Sequence, residues 1–127
     1  MAGNLSDSAE ALVLKWLLTD ASVTRPSMPL YLALYTTAPS DAGGGTEVST
    51  SGTGYARQEL DMGTAGTSSQ SDVVFGPALT DWGTITHAGI FDTLGVFLMW
   101  KALPSSITVP TGDSVTGAAA GITTSAD

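Results

Sequence analysis

The 127-residue sequence contains no cysteine, and it is short of charge and above all of basic side chains. Without cysteine, the chain has no disulfide, no thiolate zinc ligand and no thiol nucleophile. Charged residues make up 13% of the sequence and hydrophobic residues 43%, whereas an ordinary soluble domain has about 25% charged residues. We therefore expect stability to come from packing alone, and much of the surface to be covered by other chains after assembly.

The few basic residues exclude two classes of partner. Lys and Arg number 4 against 12 Asp and Glu, which gives a net charge of −8. Such a chain repels phosphate backbones and anionic lipid head groups. The first four residues carry no basic side chain, and Lys15 interrupts the apolar run 12–18, so neither a signal peptide nor a membrane span is expected. We predict synthesis in a cytoplasm, with no nucleic-acid partner and no membrane partner.

One α-helix is predicted, over residues 7–19. Asp7 is a suitable N-cap and Glu10 stands three residues later, as in a capping box. Helical spacing gives two neighbouring apolar stripes, the first with Ala9, Leu12, Val13, Trp16 and Leu17, the second with Ala11, Leu14 and Leu18. A helix so apolar fits two arrangements. In one, a sheet covers one face and a neighbouring subunit the other; in the alternative, it is a single helix wrapped by its own core.

Residues 30–116 are predicted to form a β core. Leu30, Leu32 and Leu34 alternate with Tyr31, Ala33 and Tyr35. This pattern indicates a strand with both faces at least partly covered. Further strands are predicted at 55–60, 73–75, 84–92, 96–102, 107–109 and 113–116, and the turn at 93–95 joins a central hairpin. Segments 38–54 and 63–72 are rich in Gly, Ser and Thr, and we expect surface loops there, with little internal packing in the first.

These patterns favour a mainly β fold, an antiparallel β-sandwich or barrel-like fold with one N-terminal α-helix. The length fits a single domain over residues 1–127. Residues 117–127 are predicted to be either a last strand or an extended C-terminal tail.

His87 is the only histidine, and it could form a Ser-His-Asp triad with Asp81 or Asp92. Its apolar neighbours Ile85 and Ile90 instead favour a structural role beside the core. The Gly-x-Ser-x-Gly motif of hydrolases is absent. We therefore predict no enzymatic activity and no catalytic residue.

Carboxylates at Asp41, Glu47, Glu59 and Asp61 could supply oxygen ligands, but their spacing does not match a calcium-binding loop. We predict no metal site and no cofactor. Calcium bound by carboxylates of several copies at a symmetry axis is the alternative. The glycine runs lack the Lys-Ser/Thr of a phosphate loop, so we interpret them as turns.

Several segments carry a resemblance to a known family. They are Met1–Asp7 with Glu10, then Tyr31–Glu47, Gly54–Arg57, Asp81–Asp92 and Thr111–Asp113. Together they resemble small phage and prophage proteins commonly labelled tail-fibre proteins, which are structural proteins of the virion. The resemblance extends from Met1 to about Val115, whereas the family's last strand is more apolar than residues 117–127. It implies a non-enzymatic protein located in the virion of a tailed bacteriophage.

The resemblance leaves the place in the virion open. Receptor-binding fibres are generally long and repetitive, whereas this chain is short and without repeats. Our preferred interpretation is a capsid-decorating or cement protein that forms a homo-oligomer, a trimer, and binds the major capsid protein or another virion protein. A tail-fibre or tail-adaptor subunit is the first alternative. A carbohydrate-binding β-sandwich module is the second, in which Tyr31, Tyr35, Tyr55 or Trp82 would stack on sugar rings.

The contacts with neighbours are predicted on the helix and on the first glycine-rich loop with the strand that follows it. The residues are Leu12, Leu14, Trp16, Leu18, Asp41, Gly43, Gly44, Gly45, Tyr55 and Arg57.

Overall fold

A computed structural model of the chain describes residues 5–64, 66 and 68–117. Its elements are α1 (Asp7–Leu18), β1 (Leu30–Thr37), β2 (Thr46–Glu47), β3 (Gln58–Leu60), β4 (Val73–Phe75), β5 (Gly83–Phe91), β6 (Phe97–Val109) and β7 (Val115–Gly117). The predicted mainly β, antiparallel fold with one N-terminal helix is confirmed, and the described residues form no closed barrel. After Gly117, the predicted C-terminal strand or tail lies outside the described residues.

Strand β1 is the centre of the larger sheet. One of its edges pairs with β5, and the other pairs with β3 near Leu30 and with β2 near Tyr35, all antiparallel. Strand β6 follows β5 at the edge of the sheet. Because side chains alternate along a strand, Leu32 and Leu34 lie on one face of β1 and Ala33 and Tyr35 on the other, and all four are buried.

The main core lies between the larger sheet and a small sheet formed by β4 and β7. Its largest fully buried side chains include Phe75 from the small sheet and Ile85 from the larger one. A second cluster, Ala33, Tyr35 and Phe91 with Phe97 against it, lies on the opposite face of the larger sheet. The fold is therefore two packed β layers, with the small sheet over one face of the larger.

The predicted hairpin at 84–102 is confirmed, but β6 is longer than expected. Ile85 pairs with Ile107 while His87 pairs with Ala102, so residues 103–106 stand opposite Thr86 alone. Such a bulge removes residues from the hydrogen-bond ladder, which allows a proline at position 104. The strand predicted separately at 107–109 is thus the end of β6.

The segment 38–54 was predicted to be a loop with little internal packing, and this prediction is wrong for its middle. Residues Thr46–Glu47 form β2 on the edge of β1. The next residue, Val48, is buried in the main core, and its N–H donates to the carbonyl of Leu34 at 3.0 Å. The segment is therefore fixed to the sheet by the chain itself.

Helix α1 begins on strand β6. Its N-cap is Ser6, one residue before the predicted Asp7: the Ser6 Oγ accepts the Ala9 N–H at 3.1 Å and donates to the Phe97 carbonyl at 2.6 Å. The Ser6 N–H donates to the Leu98 carbonyl at 2.8 Å. The bond to Ser6 Oγ gives the Ala9 N–H, in the first turn, a partner that the helix itself does not supply, and the other two bonds attach the helix to the sheet. Ala9 is the only buried residue of α1.

Asp92 joins the β5–β6 turn to residues 19–29, which we call the arm. Its Oδ1 accepts the N–H groups of Leu94 and Val96, both at 2.9 Å, and its Oδ2 accepts the N–H of Ser27 at 3.2 Å. Burial of Asp92 opposes ionisation, but these backbone hydrogen bonds outweigh it and lower the pKa of the carboxyl. The ionised Asp92 carboxylate is therefore one of the groups that hold the arm against the turn.

We predict that Asp92→Asn lowers the free energy of unfolding at neutral pH by about 1–3 kcal/mol, because one acceptor oxygen and its charge are lost. The pKa of Asp92 is lower in the folded chain. Its contribution is therefore complete above the unfolded pKa of about 4 and is lost as the pH falls through the folded value. Urea unfolding over a pH series measures this, with the exposed Asp20→Asn as control. Equal acid sensitivity of the Asp92 variant and the wild type would contradict the prediction.

Candidate assembly surface

Beyond its first turn, α1 carries large apolar side chains on its surface. Leu14 is 54% exposed, Trp16 70%, Leu17 62% and Leu18 75%. Helices of small domains usually bury their apolar stripe against the core, and exposed apolar patches mark surfaces that other molecules cover. The helix is therefore the first part of a candidate assembly surface.

An open groove of about 260 Å³ lies between α1 and the arm. Its lining consists of Leu12, Val13, Trp16, Val23, Thr24, Arg25 and Pro26. The predicted contact residues Leu12 and Trp16 thus lie together on the groove side of the helix. At 100° per residue, Leu14 and Leu18 lie on the opposite side, so the structure separates the four into two pairs.

Exposed apolar side chains continue from the arm to the β5–β6 turn. Met28, Leu94 and Val96 are exposed, and the Thr93 N–H donates to the Ser27 carbonyl at 3.0 Å, which holds arm and turn together. We define the assembly surface as residues 11–18 of α1, the arm and the turn 93–96. The sequence could not show this grouping, because it depends on the contact between Ser27 and the turn.

The predicted contact residues Asp41 and Gly43–Gly45 lie in the β1–β2 connection. Asp41 is engaged within the chain: its carbonyl accepts the Asp7 N–H at 2.8 Å and its Oδ1 accepts the Trp100 Nε1–H at 3.0 Å. The three glycines have positive φ angles of 96°, 78° and 71°. A Cβ on Gly45 would stand 2.7 Å from the Pro39 nitrogen, whereas one on Gly44 would meet nothing within 4 Å.

The predicted contact residues Tyr55 and Arg57 meet at Glu47. The Tyr55 Oη donates to Glu47 Oε2 at 2.7 Å and accepts the Leu34 N–H at 3.0 Å. Arg57 donates from Nε to Oε2 at 3.0 Å and from Nη2 to Oε1 at 2.8 Å. Its guanidinium lies over the Phe91 ring, with Cζ 3.6 Å from the centroid. Tyr55 is only 3% exposed, so it offers almost no surface to a neighbour.

The electrostatics of this network fix one set of protonation states. Burial raises the pKa of Tyr55 far above its ordinary value, and the hydrogen bond to Glu47 raises it further. Burial, followed by the charge of Glu47, also raises the pKa of Tyr35. The hydrogen bond to Glu47 raises the pKa of Arg57. The network is therefore a neutral phenol beside a bidentate ion pair, which is a structural arrangement.

The acids proposed for a triad bind other groups. Asp81 Oδ1 accepts the N–H and the Oγ1–H of Thr111, at 2.8 and 2.9 Å, and Asp92 binds the turn and the arm. His87 Nδ1 instead lies 2.8 Å from Thr86 Oγ1, and its ring lies against Trp100. Among the described residues, no Ser-His-Asp arrangement forms at His87.

The aromatic side chains proposed for sugar stacking are mostly inside the protein. Tyr35, Tyr55 and Trp82 are between 3% and 5% exposed. The Trp82 ring packs edge-on against Tyr55, and its Nε1–H donates to the Thr53 carbonyl at 2.8 Å. A sugar-binding platform made of these three rings is therefore excluded, because stacking requires an exposed ring face.

Three carboxylates come together at the start of α1. Oxygen atoms of Asp7, Glu10 and Asp41 lie within 4.8 Å of one another. Of the four oxygen donors considered from sequence, Asp41 alone joins this acidic cluster, while Glu47 is in the ion pair and Asp61 accepts the Gly63 N–H at 2.8 Å. Three carboxylates this close together could bind a cation, but exposed acidic groups are commonly grouped in this way without one. Sequence reasoning missed the cluster because it combines a helix and a distant loop.

The family to which the chain belongs follows from a comparison with protein-family models. The model described as "Podophage GP4 fiber I protein gp80" matches residues 4–125. The chain belongs to this Gp80 family. The predicted resemblance to small phage virion and tail-fibre proteins is thereby confirmed. No curated protein matches the chain. This Gp80 chain is a bacteriophage structural protein of the fibre type.

No helix among the described residues of the Gp80 chain is long and apolar enough to cross a lipid bilayer.

We predict that Gly45→Ala destabilises the chain by several kcal/mol more than Gly44→Ala. Both substitutions place alanine at a positive φ, which costs roughly 1–2 kcal/mol, but only the Gly45 variant forces a Cβ into the backbone of Pro39. Chemical unfolding of the two variants measures the difference, since each serves as the matched control of the other. Equal unfolding free energies of the two variants would contradict the prediction, because they would show that the Pro39 backbone moves away from the new Cβ at no cost in stability.

We predict that Tyr55→Phe lowers the free energy of unfolding by about 1–3 kcal/mol at neutral pH, because the buried Leu34 N–H loses its acceptor. The pKa of Tyr55 is higher in the folded chain than in the unfolded one. Its stabilisation is therefore complete below the unfolded pKa of about 10 and declines as the pH rises above that value. The variant should lose less stability above pH 10 than the wild type. Tyr31→Phe is the control, and an unchanged alkaline slope in Tyr55→Phe would refute the assignment.

Proposed function

We propose that this Gp80 chain is a non-enzymatic structural subunit of the podophage virion, within its fibre apparatus, and that it works by packing apolar surface against neighbouring proteins. The observation that carries the proposal is the exposed apolar face of α1, which is continuous with the groove and the arm. Large exposed apolar patches on folded domains mark the sites where other molecules bind.

The charge distribution supports this proposal. The free chain has a net charge of −8, and this charge keeps separate copies soluble despite the apolar patch. The assembly surface contains few acidic side chains, and two of the four basic residues, Lys15 and Arg25, lie on it. A partner with apolar side chains and some acidic ones fits such a surface best.

The described polar side chains support a structural role over a catalytic one. Glu47, Asp81 and Asp92 each bind groups that hold a loop, a turn or the arm in place. Groups poised for acid-base catalysis instead face a pocket with room for a substrate. The groove beside α1 is lined mainly by apolar side chains, with no carboxylate and no histidine.

The second candidate is capsid decoration. It is favoured by one observation: the described chain is a short two-layer unit without the repeats of extended fibres. Both candidates use the same assembly surface and differ in location and copy number.

Electron cryomicroscopy of purified particles, combined with quantitative mass spectrometry, tests the location. In the fibre apparatus, we expect density for this chain at the tail and few copies per particle. Density over the head shell, with hundreds of copies, would replace the fibre assignment by capsid decoration. Absence of the chain from purified particles would overturn both.

The assembly surface is tested by complementation with the variant Trp16→Ser/Leu17→Ser. We expect its copy number in purified particles to fall strongly, because two exposed apolar contacts are lost. Leu79→Ser is the matched control, since Leu79 is 65% exposed but lies outside the assembly surface. Circular dichroism of the purified variants confirms folding. Incorporation of the double variant at the wild-type level would show that this surface does not attach the chain.

A further inference from the structure

The middle of the arm has a backbone without hydrogen bonds inside the chain. The N–H and C=O groups of residues 22–26 form hydrogen bonds with none of the residues that the structure describes. Arg25 precedes Pro26, and a residue before proline favours an extended conformation. An extended segment with unpaired backbone groups can pair with a strand from another chain. Residues 22–26, which we call the free edge, therefore offer a place for such a strand beside α1.

Both ends of the free edge are fixed by hydrogen bonds of the neighbouring residues. Before it, the Ala21 N–H donates to Thr19 Oγ1 at 3.2 Å, directly after the end of α1. After it, the Ser27 N–H donates to Asp92 Oδ2 at 3.2 Å. Holding a binding segment in place before association reduces the entropy that association costs. The free edge is therefore already positioned beside the groove when a partner arrives.

The groove beside the free edge is small and open. Its volume is about 260 Å³, below the roughly 300–1,000 Å³ of pockets that enclose a small ligand. Leu12, Val13 and Trp16 form its helical wall, and Trp16 is 70% exposed. An apolar side chain of a strand paired with the free edge would lie against this wall. The occupant that fits the groove is thus a peptide segment and not a small molecule.

The charge of the groove comes from Arg25 alone, since its other lining residues are uncharged. The Arg25 side chain is exposed and makes no ion pair and no hydrogen bond with any residue that the structure describes. In contrast, Arg57 pairs with Glu47, and Lys101 also interacts within the chain. A carboxylate is the side-chain group that best complements a free guanidinium. Charge complementarity therefore selects an acidic side chain on the peptide that enters the groove.

We propose that the groove binds an extended segment of another virion protein, which adds a strand to the free edge, packs an apolar side chain against Trp16 and pairs a carboxylate with Arg25. This proposal rests on the proposed function and names the kind of segment that its surface binds. Side chains alternate along a strand, so an apolar and an acidic side chain that both face the groove stand two residues apart. The partner segment therefore has the pattern apolar-x-acid or acid-x-apolar.

A photo-reactive side chain at the groove identifies the occupant in purified particles. Thr24 lines the groove and is replaced by p-benzoylphenylalanine, with the exposed Ser22 as a second position on the free edge. After irradiation, mass spectrometry should find the arm joined to a different virion protein, at a segment with the expected pattern. The same amino acid at Leu79, which is exposed outside the assembly surface, should not give this product. A cross-link to a second copy of this chain, to a segment without a carboxylate or to nothing would overturn the proposal.

Binding of a synthetic peptide with the cross-linked sequence to the purified full chain measures the ion pair. Tryptophan fluorescence reports it, because Trp16 is largely exposed and the peptide covers it. Arg25→Gln should weaken binding about three- to tenfold with an unchanged circular dichroism spectrum. Lys101→Gln removes one positive charge elsewhere and should leave the affinity unchanged. Arg25→Glu, combined with a lysine in place of the peptide's acid, should restore most of the affinity. Equal binding by the wild type and Arg25→Gln would refute the role of Arg25.

Methylation of the peptide backbone tests strand addition. In a pair of β-strands, alternate residues of each strand direct their N–H groups to the neighbouring strand. N-methyl groups at one set of alternate peptide residues should therefore abolish binding, whereas N-methyl groups at the other set should leave it nearly unchanged. Equal effects of the two sets would contradict strand addition. If particles contain the chain while the groove positions cross-link to nothing, this inference fails and the proposed function stands.

Discussion

Strand β1 is the constraint on which the rest of the fold depends, because it is paired on both edges and buried on both faces. Its β5 edge holds the hairpin with β6, and its other edge holds β2 and β3. Leu32 and Leu34 enter the main core, while Ala33 and Tyr35 form the second cluster. With both faces and both edges occupied, β1 has no alternative register that keeps these contacts.

The Glu47 carboxylate fixes the chain segment that contains Tyr55 and Arg57 beside β1. It accepts hydrogen bonds from Tyr55 and Arg57, and Tyr55 in turn accepts the N–H of Leu34 in the sheet. Burying part of a carboxylate is costly unless such partners compensate for the water that it loses. The chain thereby uses one of its four basic residues inside the fold, while Lys15 and Arg25 stay on the assembly surface.

The sequence predicted elements that depend on local pattern. Leucine alternation located β1, and the turn residues 93–95 located the hairpin. Features that depend on distant contacts were missed: the Ser6 cap needs the Phe97 carbonyl, and β2 needs the edge of β1. For the candidate surface, helical spacing gave two apolar stripes but could not show that both leave large side chains exposed beyond the first turn. It also counted Tyr55 as a contact residue, because burial against Phe75 and Trp82 comes from strands far apart in sequence.

The exposed helix also links folding to assembly. Only the first turn of α1 is fixed by the sheet, and a helix of 12 residues has little stability of its own. At its other end, the helix is closed locally, where the Thr19 hydroxyl donates to the Lys15 carbonyl at 2.6 Å. A partner that covers the exposed apolar side chains on either side of α1 binds the helical form and not the unravelled one. By mass action, such binding stabilises the last turns of α1, so the helix is most stable when the surface it presents is covered.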